Sequence, residues 1–466
     1  MNNNIFKKIG TAIKNGVMVF VKGDIFTKLS AVIMGIGCMV RGQIVKGLVF
    51  LAAEVAFILY MINKGSYWIS MLPSLGLVGP GKEYNSFFDT YVYTYNDNSF
   101  QILLYGILSI FLIAFFVFVW GLNIKASYDA ECLKKNGKKV PKFVDDVHAL
   151  VDEKFYKTLL ALPAVGIFVF TFLPIIFMIF VAFTNYDGNH DGYITDLFHW
   201  VGWQNFITLF SNNGTSSYFK IFMSILGWTL IWAFFATFSN YILGILLAMM
   251  INKKGIKFKK MWRTIFVMTI AIPQFISLLY VSKMLSRSGL INGFLMNLGW
   301  ITEPLPFFES AMWARVTVIV VNIWIGIPYL MLIATGILMN IPSDLYEAAR
   351  IDGANPVQQF RYITMPYMLF ITGPYLLTSF TGNMNNFNVI YLLSGGNPVN
   401  PAASSAAGSV GYTDLLVTWL FKITTGTESS YYMASVIGIL IFIVVSVITL
   451  IVYNALPSNR NEGDMQ

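Results

Sequence analysis

Long apolar runs recur along this chain, and no other feature limits its fold so strongly. A helix needs about 20 mostly apolar residues to cross the hydrocarbon of a bilayer. Such runs occupy Val45–Ile62, Phe100–Leu122, Leu159–Phe183, Ile221–Met250, Thr264–Met284, Val316–Met339, Tyr367–Leu393 and Met433–Tyr453, eight in all. None alternates apolar with polar residues, which excludes the strands of a membrane barrel. Only 12% of the 466 residues are charged, against roughly 25% in soluble proteins. The expected fold is therefore an all-α polytopic membrane protein with eight transmembrane helices. The fourth and seventh runs exceed a minimal span, which predicts tilt or interfacial ends.

The net charge of +8 does not point to nucleic acid, because the basic residues gather beside the ends of apolar runs. Lys7, Lys8, Lys14, Lys22, Lys28 and Arg41 precede the first run. Lys125, Lys134, Lys135, Lys138, Lys139, Lys142 and Lys154 follow the second, and Lys253, Lys254, Lys257, Lys259, Lys260 and Arg263 follow the fourth. From Thr158 to Phe219 there is no lysine or arginine, and the loop after the fifth run offers only Arg287. The positive-inside rule then puts both termini in the cytoplasm. No cleavable signal peptide is evident at the basic start. Asp24 to Gly42 is expected to form a helix lying at the membrane interface. Cys38 and Cys132 fall on or near the cytoplasmic side, which argues against a structural disulfide.

Between the sixth and seventh runs lies a polar stretch, EAARIDGANPVQQFRYITMP, from Glu347 to Pro366. Its own signals define two short helices. Asp344 is expected to cap the first, with Glu347 as return partner, and Gly353 to stop it in the left-handed conformation. Asn355 is expected to cap the second, with Pro356 in its first turn. Leu345, Ala348 and Ala349 share one face at helical spacing, small enough for close approach by another surface. Docking into a partner's groove and folding back on the chain's own bundle are both open on these residues alone.

The spacing Glu347-Ala348-Ala349 … Gly353 … Ile363-Thr364-Met365-Pro366 resembles the EAA signature of ABC importer permeases, with Met365 where that family usually has leucine. The resemblance implies a coupling helix seated in a cleft of an ATP-hydrolysing subunit, with Glu347, Ala348, Ala349 and Gly353 carrying the contact. NIWIGIPYLM (Asn322–Met331), NNFNVIYLLSGGNP (Asn385–Pro398) and GYTDLLVTWLFKI (Gly411–Ile423) resemble the MalF family of maltose and maltodextrin permease subunits. The likeness is firm from about Thr158 onward. It implies an accessory part over residues 1–155 and a six-helix core of the MetI-like, type I importer kind over 156–466, with a coupling loop at 341–366. Implied partners are a second homologous permease, two ATPase subunits and an external sugar-binding protein. The loop from Thr184 to Lys220 is short and lacks the large insertion of Gram-negative members. That implies a single-membrane bacterium and a lipid-anchored binding protein.

A sugar site needs aromatic faces and amide or hydroxyl rims. Trp324, Ile325, Gly326 and Tyr329 surround Pro328 in the sixth run, and Pro328 is expected to free a carbonyl and bend the helix. Ser379, Gly382, Asn383 and Asn386 form one polar stripe in the seventh. Small and amide residues also serve helix packing in membranes, so both uses are open. By the resemblance, the positions matching sugar contacts are Ile325, Gly326, Tyr329, Ser379, Gly382, Asn383 and Asn386. At Gly382 the maltose permease has an aromatic ring; its loss here leaves longer maltodextrins or a galacto-oligosaccharide open.

No G-x-x-x-x-G-K-[ST] pattern occurs in the chain, so it supplies no P-loop. No cofactor is expected in this chain; by the resemblance, ATP and magnesium belong to the partner ATPases. His148, His190 and His199 show no metal-ligand spacing. DGNHDG (Asp187–Gly192) opens like a calcium loop, but the twelfth position is Phe198 rather than glutamate, and an ordinary polar turn is expected. The sequon Asn213-Gly214-Thr215 is too short to carry weight. Glu54, near the middle of the first run, invites a proton-coupled reading; a structural partner or protonation is the expected alternative. The rival to an ABC permease is an ion-coupled secondary transporter, and a membrane scaffold is a third reading.

Overall fold

A computed structural model describes residues 22–455 except 95, 212–217, 254, 402, 404–408 and 427–428. The sequon Asn213-Gly214-Thr215 and the basic residues Lys7, Lys8, Lys14 and Lys254 lie outside the described residues. The chain divides into two units, Met1–Gly202 and Trp203–Gln466.

In the first unit, two short helices, α1 (Ile25–Leu29) and α2 (Ile36–Met39), precede the long apolar helix α3 (Ile44–Met71). A π-helical turn at Met61–Gly65 carries α3 well past the predicted end at Ile62. An antiparallel hairpin follows, β1 (Gly81–Asn85) paired with β2 (Thr90–Thr94), with Tyr84 opposite Tyr91. Then come α4 (Ser99–Lys135), the short α5 (Phe143–Val151) and the apolar α6 (Phe155–Val181).

The segment before α3 is not the single interfacial helix that its sequence suggested. It is two short helices tied to α4 by a buried polar cluster. Arg41 donates from Nη2 to Asp24 Oδ1 at 2.6 Å and lies 3.4 Å from Glu131 Oε2. From Nη1 it donates to the carbonyls of Gly37 and Ser127 at 2.8 and 2.9 Å. Glu131 also accepts from the Asp24 amide, the Thr27 hydroxyl and Lys135. Burial would raise the Asp24 carboxyl, but the Arg41 guanidinium and the amide and hydroxyl of Thr27 outweigh it and hold it at about 2. A continuous amphipathic helix could not place these groups around one guanidinium. Glu54 has a structural partner here too: it accepts the Met34 amide at 2.8 Å.

The second unit contains α7 (Gln204–Phe210), α8 (Tyr218–Asn252), α9 (Lys259–Ala271), α10 (Gln274–Met284), α11 (Leu290–Asn297) and α12 (Ala311–Leu338). Next are α13 (Ser343–Ile351), α14 (Pro356–Gln359), α15 (Met365–Met384), α16 (Phe387–Leu393), α17 (Leu416–Thr425) and α18 (Tyr431–Ala455). Among the described residues, six helices are long and apolar enough to span a bilayer, or seven if α9 and α10 count as one bent span. The expected count of eight is thus not reproduced exactly, and two runs are broken. Between α9 and α10 the axis turns by 88°, at Pro273, which lacks an amide donor and cannot continue the helix. The seventh run stops at Met384, and Asn386 starts α16 afresh by accepting the Val389 amide at 3.3 Å. Asparagine side chains compete with the helix for backbone partners, which favours such a break. Pro328, by contrast, sits inside a helix that stays continuous.

Residue pairs fix how the core helices run. Gly244 lies against Leu330, Gly326 against Asn240, and Asn252 reaches Thr335. The offset between partners stays nearly constant, so α8 and α12 run in the same direction. Tyr241 bonds Thr372 at 2.7 Å while Thr237 bonds Asn383 at 3.0 Å, so α15 runs antiparallel to α8. Trp232, fully buried, donates its indole N–H to the Asn383 carbonyl at 3.0 Å.

The Arg41 cluster gives a test. Breaking a buried ion pair from one side is costly, about 3–5 kcal/mol. Arg41→Met is expected to lower the apparent thermal midpoint of the detergent-purified protein and to expose residues 22–43 to limited proteolysis. A melt and cleavage pattern identical to wild type would show that the cluster does not hold this segment down.

Candidate functional site

Two places in the second unit collect the residues singled out from sequence. One lies within the helices and the other just beyond the C-terminal end of α12.

Within the helices, Tyr329 on α12 is half exposed and its ring centroid is 6.4 Å from that of Tyr375 on α15. Ser379 lies one turn further along α15 from Tyr375. Another turn on, the Asn383 amide donates to the Thr237 hydroxyl, and Asn386 donates to Asn383 Oδ1 at 3.4 Å. Tyr329 and Tyr375 are thus ring neighbours, Ser379 follows one turn along α15, and Asn383 and Asn386 form a bonded pair. Gly382 is exposed, and a Cβ built there meets nothing within 4 Å. Ile325 and Gly326 sit differently. Ile325 packs against the apolar cluster around Trp228 and Trp232, and Gly326 serves close approach, since a Cβ there would collide with the Asn240 amide.

The sequence reading passed over α8, which supplies much of this region. Thr229, Trp232, Ala236, Thr237, Asn240 and Gly244 recur every three or four residues and are buried. That period was visible in the sequence as a polar and small stripe inside an apolar run. Asn240 donates to the Ala236 carbonyl at 2.7 Å, while its buried Oδ1 has no hydrogen-bond partner. This arrangement offers amides, hydroxyls and tyrosine rings, which suit polyhydroxylated ligands. Among the described residues, no group of three or more His, Cys, Asp or Glu could hold a metal ion.

Beyond α12, the polar stretch folds as two helices. Helix α13 begins at Ser343 after Pro342, two residues earlier than expected. Asp344 therefore lies inside the first turn and makes no cap; it accepts from the Ser343 hydroxyl, and its charge complements the helix N-terminus. Gly353 has φ +80°. Its amide donates to the Arg350 carbonyl at 3.1 Å and the Ala354 amide donates to Ala349 at 2.8 Å, the Schellman pattern that glycine favours. Asn355 and Gln358 cap α14 reciprocally at 2.8 and 2.9 Å. The Tyr346 hydroxyl pairs with Thr364 at 2.9 Å and ties α13 to the π-helical turn before α15. Glu347, Ala348 and Leu345 remain exposed, and Ala349 is half-buried.

In the first unit, the carboxylates of DGNHDG are taken up by their own turn. Asp187 accepts from the amides of Asn189 and His190, and Asp191 from those of Tyr193, Ile194 and Thr195. Gly192 takes φ +80° against the buried Phe198 ring. The loop is an ordinary polar turn.

Residues 240–460 match the family described as binding-protein-dependent transport system inner membrane component. The chain is 35% identical over 447 residues to the maltodextrin transport system permease protein MdxF of Bacillus subtilis, covering 94% of this chain and 97% of that one. It is 32% identical over 440 residues to the galactooligosaccharides transport system permease protein GanP of the same organism, covering 93% and 98%. In fold it matches a chain of a bacterial alginate ABC transporter solved in complex with its pentasaccharide-bound periplasmic protein. That match has a TM-score of 0.51 and 22% identity, over 65% of this chain and 94% of that one.

The two glycines of the helix site predict opposite outcomes. Gly326→Ala forces a methyl into the Asn240 amide, and overpacking of this kind costs about 1–3 kcal/mol. Gly382→Ala adds a methyl to open space and improves helix propensity. Thermal midpoints of the purified variants are expected to fall for Gly326→Ala and to hold or rise for Gly382→Ala. Equal midpoints would contradict the close contact of α8 with α12.

Proposed function

This chain belongs to the maltodextrin-type permease family of binding-protein-dependent ABC importers, and from that premise we propose how its parts divide the work. It is an integral membrane protein and the sugar permease of its importer. The observation that carries the mechanism is that one continuous helix, α12, joins the exposed α13 hairpin to Gly326 and Tyr329. The distance along the axis from Tyr329 to Leu338 is about 14 Å. A displacement of α13 is therefore delivered to the sugar residues by a rigid rod.

In this reading α13 seats in a cleft of an ATPase subunit through Glu347, Ala348, Ala349 and Gly353. ATP-driven closure of two such subunits moves α12 against α15 and switches the helix site between outward and inward access. Tyr329, Ser379, Asn383 and Asn386 hold the sugar, with Ile325 and Gly326 setting the packing behind them. A second, homologous permease completes the path, and a lipid-anchored sugar-binding protein delivers the substrate outside a single-membrane cell. Both termini face the cytoplasm. Residues 1–155 form the accessory part and 156–466 the permease core. ATP and magnesium are held by the partner subunits, and this chain carries out no covalent step. The alginate transporter solved with its periplasmic protein supports delivery by such a partner.

The substrate class is a neutral oligosaccharide of the maltodextrin type. A galacto-oligosaccharide is the second reading, favoured by the similarity to GanP and by the open space at Gly382. Ion coupling through Glu54 has less support, because that carboxylate is occupied by the Met34 amide.

The two places are expected to fail separately. Gly353→Val puts a β-branched residue at φ +80°, a strain of about 1–2 kcal/mol, and re-aims α13. ATPase subunits are expected to co-purify poorly with this variant and with Glu347→Lys. Tyr329→Ala is expected to lower uptake while leaving co-purification intact. Normal co-purification and uptake in Gly353→Val and Glu347→Lys would remove the coupling role, and normal uptake in Tyr329→Ala would remove that residue from the sugar path.

A further inference from the structure

The end of α12 remote from α13 carries a charge that the mechanism above does not use. Arg315 lies within the first turns of this apolar helix, where an ionisable side chain is costly and rarely idle. Its guanidinium lies 4.7 Å from the Trp228 ring and 5.8 Å from that of Tyr412. Among the described residues, its side chain makes one hydrogen bond, from Nε to the Tyr412 carbonyl at 3.0 Å. No carboxylate pairs with Arg315 among the described residues. A cavity of about 270 Å³ opens beside it, lined also by Lys220, Asn400 and Asp414. Asp414 does not balance the arginine. Its buried carboxylate pairs with Lys422 at 2.7 Å and accepts from the Gly411 amide and the Thr418 hydroxyl.

The cavity thus has cationic donors to spare and its one carboxylate already committed. A neutral sugar is a poor occupant, because it needs acceptors and an open aromatic face, and the Trp228 face is covered by Arg315. A carboxylate suits it, since arginine binds that group in planar, charge-assisted fashion. The parallel course of α8 and α12 puts this cavity at the opposite end of both helices from α13. Under the reading given above, on which this inference rests, that is the outer end, over which the sugar-delivering protein must sit.

We propose that the Arg315–Lys220 cavity is a docking socket for an acidic side chain of the sugar-binding protein. The socket gives that protein its register over α8 and α12, so that its sugar is released above Trp232 and the helix site. Rim charges of this kind chiefly govern encounter and salt dependence, and a half-buried charge governs residence.

The test uses the assembled importer in nanodiscs and its cognate binding protein loaded with a maltodextrin. ATP hydrolysis is measured against binding-protein concentration at low and high salt. Arg315→Gln is expected to raise the half-saturating concentration about tenfold and to flatten its salt dependence; Arg315→Lys keeps the cation and is expected to lie between it and wild type. Lys220→Gln, at an exposed position, is expected to shift it in the same direction and guards against misfolding of the arginine variants. An unchanged half-saturation in Lys220→Gln and Arg315→Lys together with Arg315→Gln overturns the proposal. So does a fall in maximal rate alone, which would put Arg315 in the sugar path, or a shift seen only with anionic lipid, which would make the ligand a headgroup. If loaded binding protein fails to stimulate even the wild-type importer, the functional reading itself fails, a result distinct from these.

Discussion

Everything in the second unit depends on the satisfaction of polar groups inside an apolar span. Helix α8 carries polar side chains, Trp228, Trp232, Thr237 and Tyr241 among them, through an apolar span where lipid cannot serve them. Four of these polar side chains find partners on α15 or in the loop after α16. Trp232 finds the Asn383 carbonyl, Thr237 the Asn383 amide, Tyr241 the Thr372 hydroxyl and Trp228 the Thr413 carbonyl. The small residues Gly244 and Gly326 then let α12 close on the other flank. The helix that sugar-site reasoning overlooked is the axis on which both candidate site helices hang.

This arrangement joins packing to transport. Asn383 is at once a packing partner of α8 and a candidate sugar contact, so a shift of α15 relative to α8 alters both at once. Tyr329 stays half exposed beside the Tyr375 ring, whereas Ile325 and Gly326 are committed to the core. The hairpin beyond α12 is built the other way. Its helices are stopped, capped and tied by Gly353, Asn355 and Tyr346, yet its small-residue face is left uncovered. Such a rigid, exposed element at the end of a long continuous helix suits the transfer of force from a soluble partner.

Much of this was legible in the sequence because its signals are local. Apolar runs located the long helices, Gly353 and Asn355 marked a helix stop and a start, and the EAA spacing led to the family. The misses have physical reasons. Asp344 is the second residue of its helix because the helix already starts at Ser343, after Pro342. The run ending at Leu393 is chemically continuous but breaks where Asn386 caps a new helix. The Arg41 cluster brings together Asp24 and Glu131, 107 positions apart, and no period in the sequence announces it. The hairpin at Gly81–Thr94 had a visible signal in Thr90-Tyr-Val-Tyr-Thr94, a β-prone run between polar turns. Arg315 was also readable as a charge at the start of an apolar run; only the structure shows that the carboxylate lining the same cavity, Asp414, is already paired.

The central claim is that this chain is a conduit worked from outside by ATP hydrolysis. The most direct measurement is uptake of labelled maltodextrin into proteoliposomes. One set contains this chain with its partner permease and ATPase subunits, ATP enclosed and loaded binding protein outside; the other contains this chain alone under an imposed proton or sodium gradient. The account predicts accumulation in the first set that stops when ATP is replaced by a non-hydrolysable analogue, and none in the second. Gradient-driven accumulation by the chain alone would contradict it.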